Sequence, residues 1–337
     1  MNVKKSFLCL LGMLVALTCS SWGFYAHYRI NRLAVFTLPK AMAVFYENHI
    51  GYITEHAVSA DKRRYVDSTE GPRHFLDADH YGRNPFSTLP ENYDDAAIKY
   101  SADTINKYGI LPWTIDMEYH TLVKALKAHD TTAILSASAN LGHYVADAHV
   151  PLHLTLNFNG QLTGQTGIHA LWESRIPELF GDSYNYYAGK AVYIDDPLKK
   201  AFSICQASFR EVDSVLRLER LLSKTFPPDK KYEMVKHGNR MVKDYSAEYS
   251  RAYQRVLKGM VERRMRAAIR DVGSYWYSAW VDAGQPDLGK LIKDTLTADE
   301  LKEISKEETL YKTGKSVALT KAYADKSSQT NQKEQGN

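Results

Sequence analysis

Two pairs of residues in the stretch from Leu141 to Glu173 have the types and spacing to hold a metal ion. His143 and Asp147 are four residues apart, as are His169 and Glu173, and His153 lies between the pairs. On an α-helix, positions four apart sit one turn above each other on one face. Each pair can therefore aim an imidazole and a carboxylate at the same ion. That donor mixture suits zinc, among other divalent metals. A single His-x-x-x-Asp on a helix is more often a surface hydrogen-bonded pair. Two such pairs with a histidine between them carry more weight.

These ligands need positioning elements. Thr131 to Val150 reads as the long helix that carries His143 and Asp147. Pro151 ends it near Val150, and His153 follows on the exit. Upstream, His and carboxylate groups recur at Trp22–His27 and Asp61–His74. Pro39 opens a helix from Lys40 to about His56, and residues 59–64 read as a polar turn. Pro72 to Gly82 and residues 84–94 read as loops by their Pro, Asp, Asn and Gly content. Tyr100–Tyr108 and Asp116–Ala128 read as helices. Downstream, apolar positions at helical spacing run through Pro197–Leu222, and Tyr232 to about Asp282 reads as one or two long helices, with a basic solvated face around Arg263–Arg270. Thr297 and Glu300 form a capping-box pattern for one short helix. No convincing strand alternation, internal repeat or phosphate-binding Gly-rich loop is visible. The expected fold class is all-α, a single large multi-helix bundle.

Residues 1–21 read as a secretory signal peptide. Lys4 and Lys5 precede the apolar run Phe7–Leu17, and Cys19 and Ser21 suit a cut that leaves Trp22 as the mature N-terminus. Ala16-Leu17-Thr18 makes a poor lipidation signal before Cys19. The run is short for a membrane anchor. The expected location is therefore secreted or periplasmic. Of three cysteines only Cys205 would remain, so no internal disulfide can form, and a large helical core or bound metal would have to supply stability. The expected domain spans 22–290. A polar tail, 291–337, follows with one short helix and a disordered end. Net charge is +4, and loss of Lys4 and Lys5 leaves too little to argue for nucleic acid by itself.

Taken together, these segments resemble the trinuclear zinc superfamily that joins bacterial zinc-dependent phospholipases C with S-one/P-one type single-strand nucleases. The resemblance covers Trp22 to about Ala283. Trp22-Gly23 with His27 five residues on from Trp22 looks like the nuclease branch. His74-Phe75-x-Asp77-x-Asp79 looks like the phospholipase branch. His143-Tyr144-x-x-Asp147-x-x-x-Pro151-Leu152-His153 is common to both. Glu173 after His169, and the short interval from His153 to His169, favour the phospholipase branch.

The resemblance implies three Zn2+. One would be held by Asp61, His74, His143 and Asp147, a second by His153, His169 and Glu173. The third would be held by the free amine and carbonyl of Trp22 with His27 and a bridging Asp147. An α-amine binds metal only when free and deprotonated, and its ordinary pKa is near ~8. Cleavage after Ser21 would therefore complete the site. The implied reaction is attack of a zinc-activated water on a phosphodiester, with Asp61 a candidate proton acceptor. Phe75 and Asp77 are candidate substrate contacts, for a base or a head group. Among the other histidines, His149 would face away from the His143/Asp147 side of a regular helix, and His80 lies near the first group.

The leading expectation is an exported phospholipase C-like phosphodiester hydrolase, monomeric and without a stable protein partner, although no strong interfacial amphipathic helix supports a lipid substrate. A single-strand nuclease or 3′-nucleotidase on the same ligands is the alternative. A non-catalytic exported zinc-binding protein is the third.

Overall fold

The computed structural model describes residues 24–237 and 240–315. Its architecture is dominated by helices, as expected, with a single two-stranded sheet among the described residues. The signal segment, Trp22 and the tail from residue 316 lie outside the described residues.

The central helix, Thr131–Ala148, organises the packing. Asp130 caps it by accepting from the Ala133 amide, and its apolar and small side chains are buried over most of its length. It packs against the preceding helix, Leu111–Ala128, the first helix, Phe24–Ala34, and the long helix Met260–Asp282. Small residues let the first helix come close. A Cβ on Gly142 would lie 2.3 Å from Asn31 Oδ1, and Asn31 Nδ2 donates to Ala139 O at 3.1 Å. On another side, buried Trp276 stacks on Tyr46 at 5.1 Å and donates its indole N–H to Ser138 O at 3.0 Å. An indole buried with its one donor satisfied keeps its full hydrophobic contribution, about 2–3 kcal/mol.

Several helices are shorter or more broken than the apolar pattern suggests. The segment after Pro39 forms Lys40–Asn48 and Ile50–Glu55, interrupted at His49. Residues 59–64 contain a short helix, Ser59–Arg63, rather than only a turn. Tyr93–Tyr100 and Ala102–Lys107 are separated by Ser101 at φ 73°. Pro197–Phe209 and Val212–Thr225 replace one continuous helix. The capping box at Thr297 and Glu300 is formed and starts Ala298–Lys312. That helix packs back onto the first one, where Glu307 takes two nitrogens of Arg32 at 2.6 to 3.0 Å.

The main correction concerns Tyr232 to Asp282, read as helical throughout. It opens with an antiparallel hairpin, β1 (Tyr232–His237) and β2 (Arg240–Tyr245), before the helices Ala247–Val256 and Met260–Asp282. Tyr232 pairs with Tyr245 and Val235 with Val242. Each strand mixes aromatic, β-branched and charged residues, and the cross-strand Tyr232–Tyr245 and Val235–Val242 pairs are of types that favour strands. Its base is fixed by Arg175, which reaches Glu233 at 2.6 Å and Asp244 at 3.5 Å, and by buried Glu219, which holds Lys231 and Tyr249 at 2.9 and 2.6 Å.

Candidate metal centre

Five segments deliver the candidate ligands to one place: the first helix, the short helix Ser59–Arg63, the turn Gly71–His74, the central helix with the turn Pro151–Leu154, and the segment from Ile168 to Arg175. Gly71–His74 and Pro151–Leu154 are each opened by a proline whose missing N–H costs nothing at a helix start. The two turns lie side by side. Leu76 donates to His153 O at 2.9 Å, and His153 Nδ1 donates to His74 O at 2.7 Å. Asp79 secures the following loop by accepting from Thr155 Oγ1 and the Leu156 amide, at 2.7 and 2.9 Å.

The geometry falls into three groups. In the first, His74 Nδ1 lies 2.9 Å and His143 Nε2 3.3 Å from Asp147 Oδ2. Both nitrogens are 3.8 Å from Asp61 Oδ1. In the second, His153 Nε2 is 3.2 Å from His169 Nε2 and 3.4 Å from Glu173 Oε2, which is 2.6 Å from His169. In the third, His27 Nε2 is 3.4 Å from Asp147 Oδ1 and 3.6 Å from Glu173 Oε1. Ligand atoms at ~2.1 Å from a tetrahedral ion are roughly 3.4 Å apart, so most of these separations match the edges of coordination polyhedra. Four triads have donor atoms close enough together to hold a metal ion: His27, Asp61 and His143; His74, His143 and Asp147; His153, His169 and Glu173; and His27, Asp147 and Glu173. The two oxygens of Asp147 face different groups, as a bridging carboxylate requires. Glu173 does the same, with Oε2 toward His153 and His169 and Oε1 toward His27, a second contact that the sequence did not indicate.

His169 and Glu173 do not sit on a regular helix. Ile168–Ala170 is a single α-turn entered at Gly167, φ 98°, and Leu171–Arg175 is a π-turn. π-turns recur at functional sites because the wider turn re-aims side chains.

The electrostatics call for cations. Burial opposes the charge on Asp147 and Glu173, yet facing histidines hold both carboxyls well below the usual range. Burial depresses His153, but Asp147 and Glu173 outweigh it and push it up to about 9. Protein oxygens stand behind two of the rings. His143 Nδ1 donates to Ala57 O at 2.8 Å, and His74 Nε2 lies 3.3 Å from Glu70. Burial also works against Glu70, but His74, Tyr144 and Arg63 together bring its carboxyl down to about 2. Glu70 escaped the sequence reading because Gly71-Pro72 separates it from His74, although the two are four residues apart.

Asp61 and His169 are the more open ligands, with side chains 20 % and 25 % exposed against 1–4 % for His27, His74, His143 and Asp147. They mark the side from which solvent enters. Exposed Tyr65 senses the charge of Asp61, and exposed Phe158 stands edge-on to His169 at 6.0 Å. Neither aromatic was singled out in the sequence. Phe75 is half-buried beside His74. Asp77 is buried, its amide donating to Tyr108 O at 2.7 Å, and burial, aided by Asp79, pushes its carboxyl up to about 7. His80 stacks on Tyr108 at 3.4 Å. His149 is buried.

The fold and site thus define a mostly helical protein with clustered imidazole and carboxylate groups able to hold metal. No family model matches the chain, and no curated protein matches it.

Proposed function

We propose that this chain is an exported zinc-dependent phosphodiester hydrolase of the phospholipase C and P-one nuclease fold type, closer to phospholipase C. The observation that carries the reading is convergence. Eight expected ligands, His27, Asp61, His74, His143, Asp147, His153, His169 and Glu173, meet in one hollow from five chain segments. Their grouping fits three zinc sites, with Trp22 supplying the remaining donors of the third. Zinc bound there would supply Lewis acidity toward phosphoryl oxygens and a water acidic enough to lose its proton near neutral pH.

The chain's own residues do the rest. Asp61 faces the open side and is placed to accept a proton from an attacking water. Asp147 and Glu173 join the three groups at fixed separation. The Ala57 carbonyl holds His143 in the tautomer that presents a lone pair to the ion, and the Glu70 carboxylate lies 3.3 Å behind His74. Tyr65 and Phe158 frame the opening with aromatic faces that suit a quaternary ammonium head group.

One observation favours nucleic acid as a second reading. With its carboxyl near 7, Asp77 can donate or accept a hydrogen bond at neutral pH, which suits the edge of a base. Protein with Trp22 as its first residue, assayed on phosphatidylcholine vesicles and on single-stranded DNA, separates the two. Release of phosphocholine without DNA cleavage is expected. DNA cleavage alone would reverse the order, and zinc retention without hydrolysis of either would leave a binding protein.

A further inference from the structure

The four most buried of the expected histidine ligands differ in one respect. His74 Nε2 lies 3.3 Å from Glu70 Oε1 without the geometry of a hydrogen bond, and His143 and His153 each place their second ring nitrogen against a carbonyl oxygen, at 2.8 and 2.7 Å. His27 does not. Its Nε2 faces Asp147 and Glu173, and its Nδ1 is buried without a hydrogen-bond partner. Nδ1 of His149 and Nε1 of Trp172 share that condition with it. All three side chains line one small cavity behind the metal centre, of ≈ 20 Å³, together with apolar residues such as Ile30, Val150 and Met265 and two charged side chains already engaged, Arg264 with His149 O and Ser208, and Glu173 with the ligand histidines.

The hydrogens can be counted. A metal ligand presents a lone pair, so His27 with Nε2 toward the ion carries its hydrogen on Nδ1. The indole Nε1 of Trp172 can only donate. His149 Nε2 lies 3.1 Å from Asp271 Oδ2 and donates to it, because a carboxylate only accepts. The other oxygen of Asp271 takes Lys200 Nζ at 2.9 Å. Nδ1 of His149 is then a lone pair. Two donors and one acceptor left without partners around a cavity of this size complement one molecule that is small, neutral and both donor and acceptor. A buried water needs roughly 10–15 Å³ and two to four polar partners.

We propose that this cavity holds a structural water that accepts from His27 Nδ1 and Trp172 Nε1 and donates to His149 Nδ1, making the His149–Asp271 pair the positioning device for His27. The water would do for His27 what backbone carbonyls do for His143 and His153. The positioning half rests on the proposed function, since it takes His27 as a ligand. So does the direction of the hydrogen bond at His27, whereas a water among the three nitrogens does not, since a water can donate to Nδ1 as well as accept from it.

The test combines a high-resolution crystal structure with zinc titration of the protein that starts at Trp22. The expected structure shows one water within hydrogen-bond distance of the three nitrogens. His149→Leu should lose that water and bind one zinc of three roughly 10- to 100-fold more weakly, the range for loss of a supporting partner, with the other two unchanged. His149→Gln, whose amide oxygen still accepts, should restore both. If His149→Leu does not fold, Asp271→Asn serves, since it keeps the shape but frees the His149 tautomer, and it should weaken the same zinc. A dry cavity overturns the proposal. So does a His149→Leu protein with all three zinc affinities intact, or one whose loss His149→Gln does not repair. Wild-type protein that shows the water but takes up no metal overturns the positioning role and the proposed function together, and leaves the water site standing.

Discussion

Asp147→Asn is the substitution with the most to say about this centre. The change is isosteric and leaves the central helix intact. Its consequences follow from the two carboxylate oxygens, Oδ2 among His74 and His143 at 2.9 and 3.3 Å, and Oδ1 toward His27 at 3.4 Å. An amide keeps one weak oxygen donor and presents an NH2 that cannot bind a cation. Four-ligand zinc sites in small domains are worth about 10–16 kcal/mol, so one ligand carries on the order of 3 kcal/mol, or roughly 100-fold in affinity. A bridging carboxylate carries that at two sites. The expected result is loss of two zincs per chain at stoichiometric loading, retention of the one held by His153, His169 and Glu173, and loss of nearly all phosphodiesterase activity. Elemental analysis after gel filtration, with calorimetric zinc titration, reads both numbers. Three zincs bound with wild-type affinity would refute the bridging argument.

Three further outcomes are expected. Asp77 titrates near 3.8 unfolded and about 7 folded, so between those values the folded chain holds a proton that the unfolded chain lacks, and stability falls as pH rises through that window. Asp77→Asn should therefore stabilise by ~1–2 kcal/mol at pH 8, allowing for partial solvent screening, and by almost nothing at pH 4. Urea unfolding in chelator reads this, and an equal gain at both pH values counts against it. Gly142→Ala should cost ~1–3 kcal/mol, because the new methyl meets Asn31 where the first and central helices cross; unchanged thermal stability would contradict that close approach. One extra residue before Trp22 should weaken zinc selectively at the group containing His27, by turning the amine into an amide. Equal zinc content with and without the extra residue would show that the terminus is not a ligand.

Helical periodicity made the central helix and its two ligands legible, because burial and ligand spacing both follow the 3.6-residue repeat. The capping box at Thr297 and Glu300 was legible for a similar reason, since both hydrogen bonds are local. The hairpin was not read, although Tyr232–His237 and Arg240–Tyr245 flank Gly238-Asn239, a dipeptide that favours a two-residue connection. Its strands are short and half-exposed, and their apolar and charged residues do not alternate, so no period-2 signal marks them. The π-turn at Leu171–Arg175 has no sequence pattern of its own, because the extra residue in the turn is set by packing and by the ligands. His149 was assigned to the far side of a regular helix, which is correct in angle. The far side is covered by the helix Met260–Asp282, and only tertiary packing places Asp271 there.

Metal content of the purified protein beginning at Trp22 tests the central claim most directly. Three zincs per chain, removed by chelator together with phosphodiesterase activity and restored with it, are predicted. A protein that stays metal-free in excess zinc, or hydrolyses phosphodiesters equally well after chelation, would contradict the account.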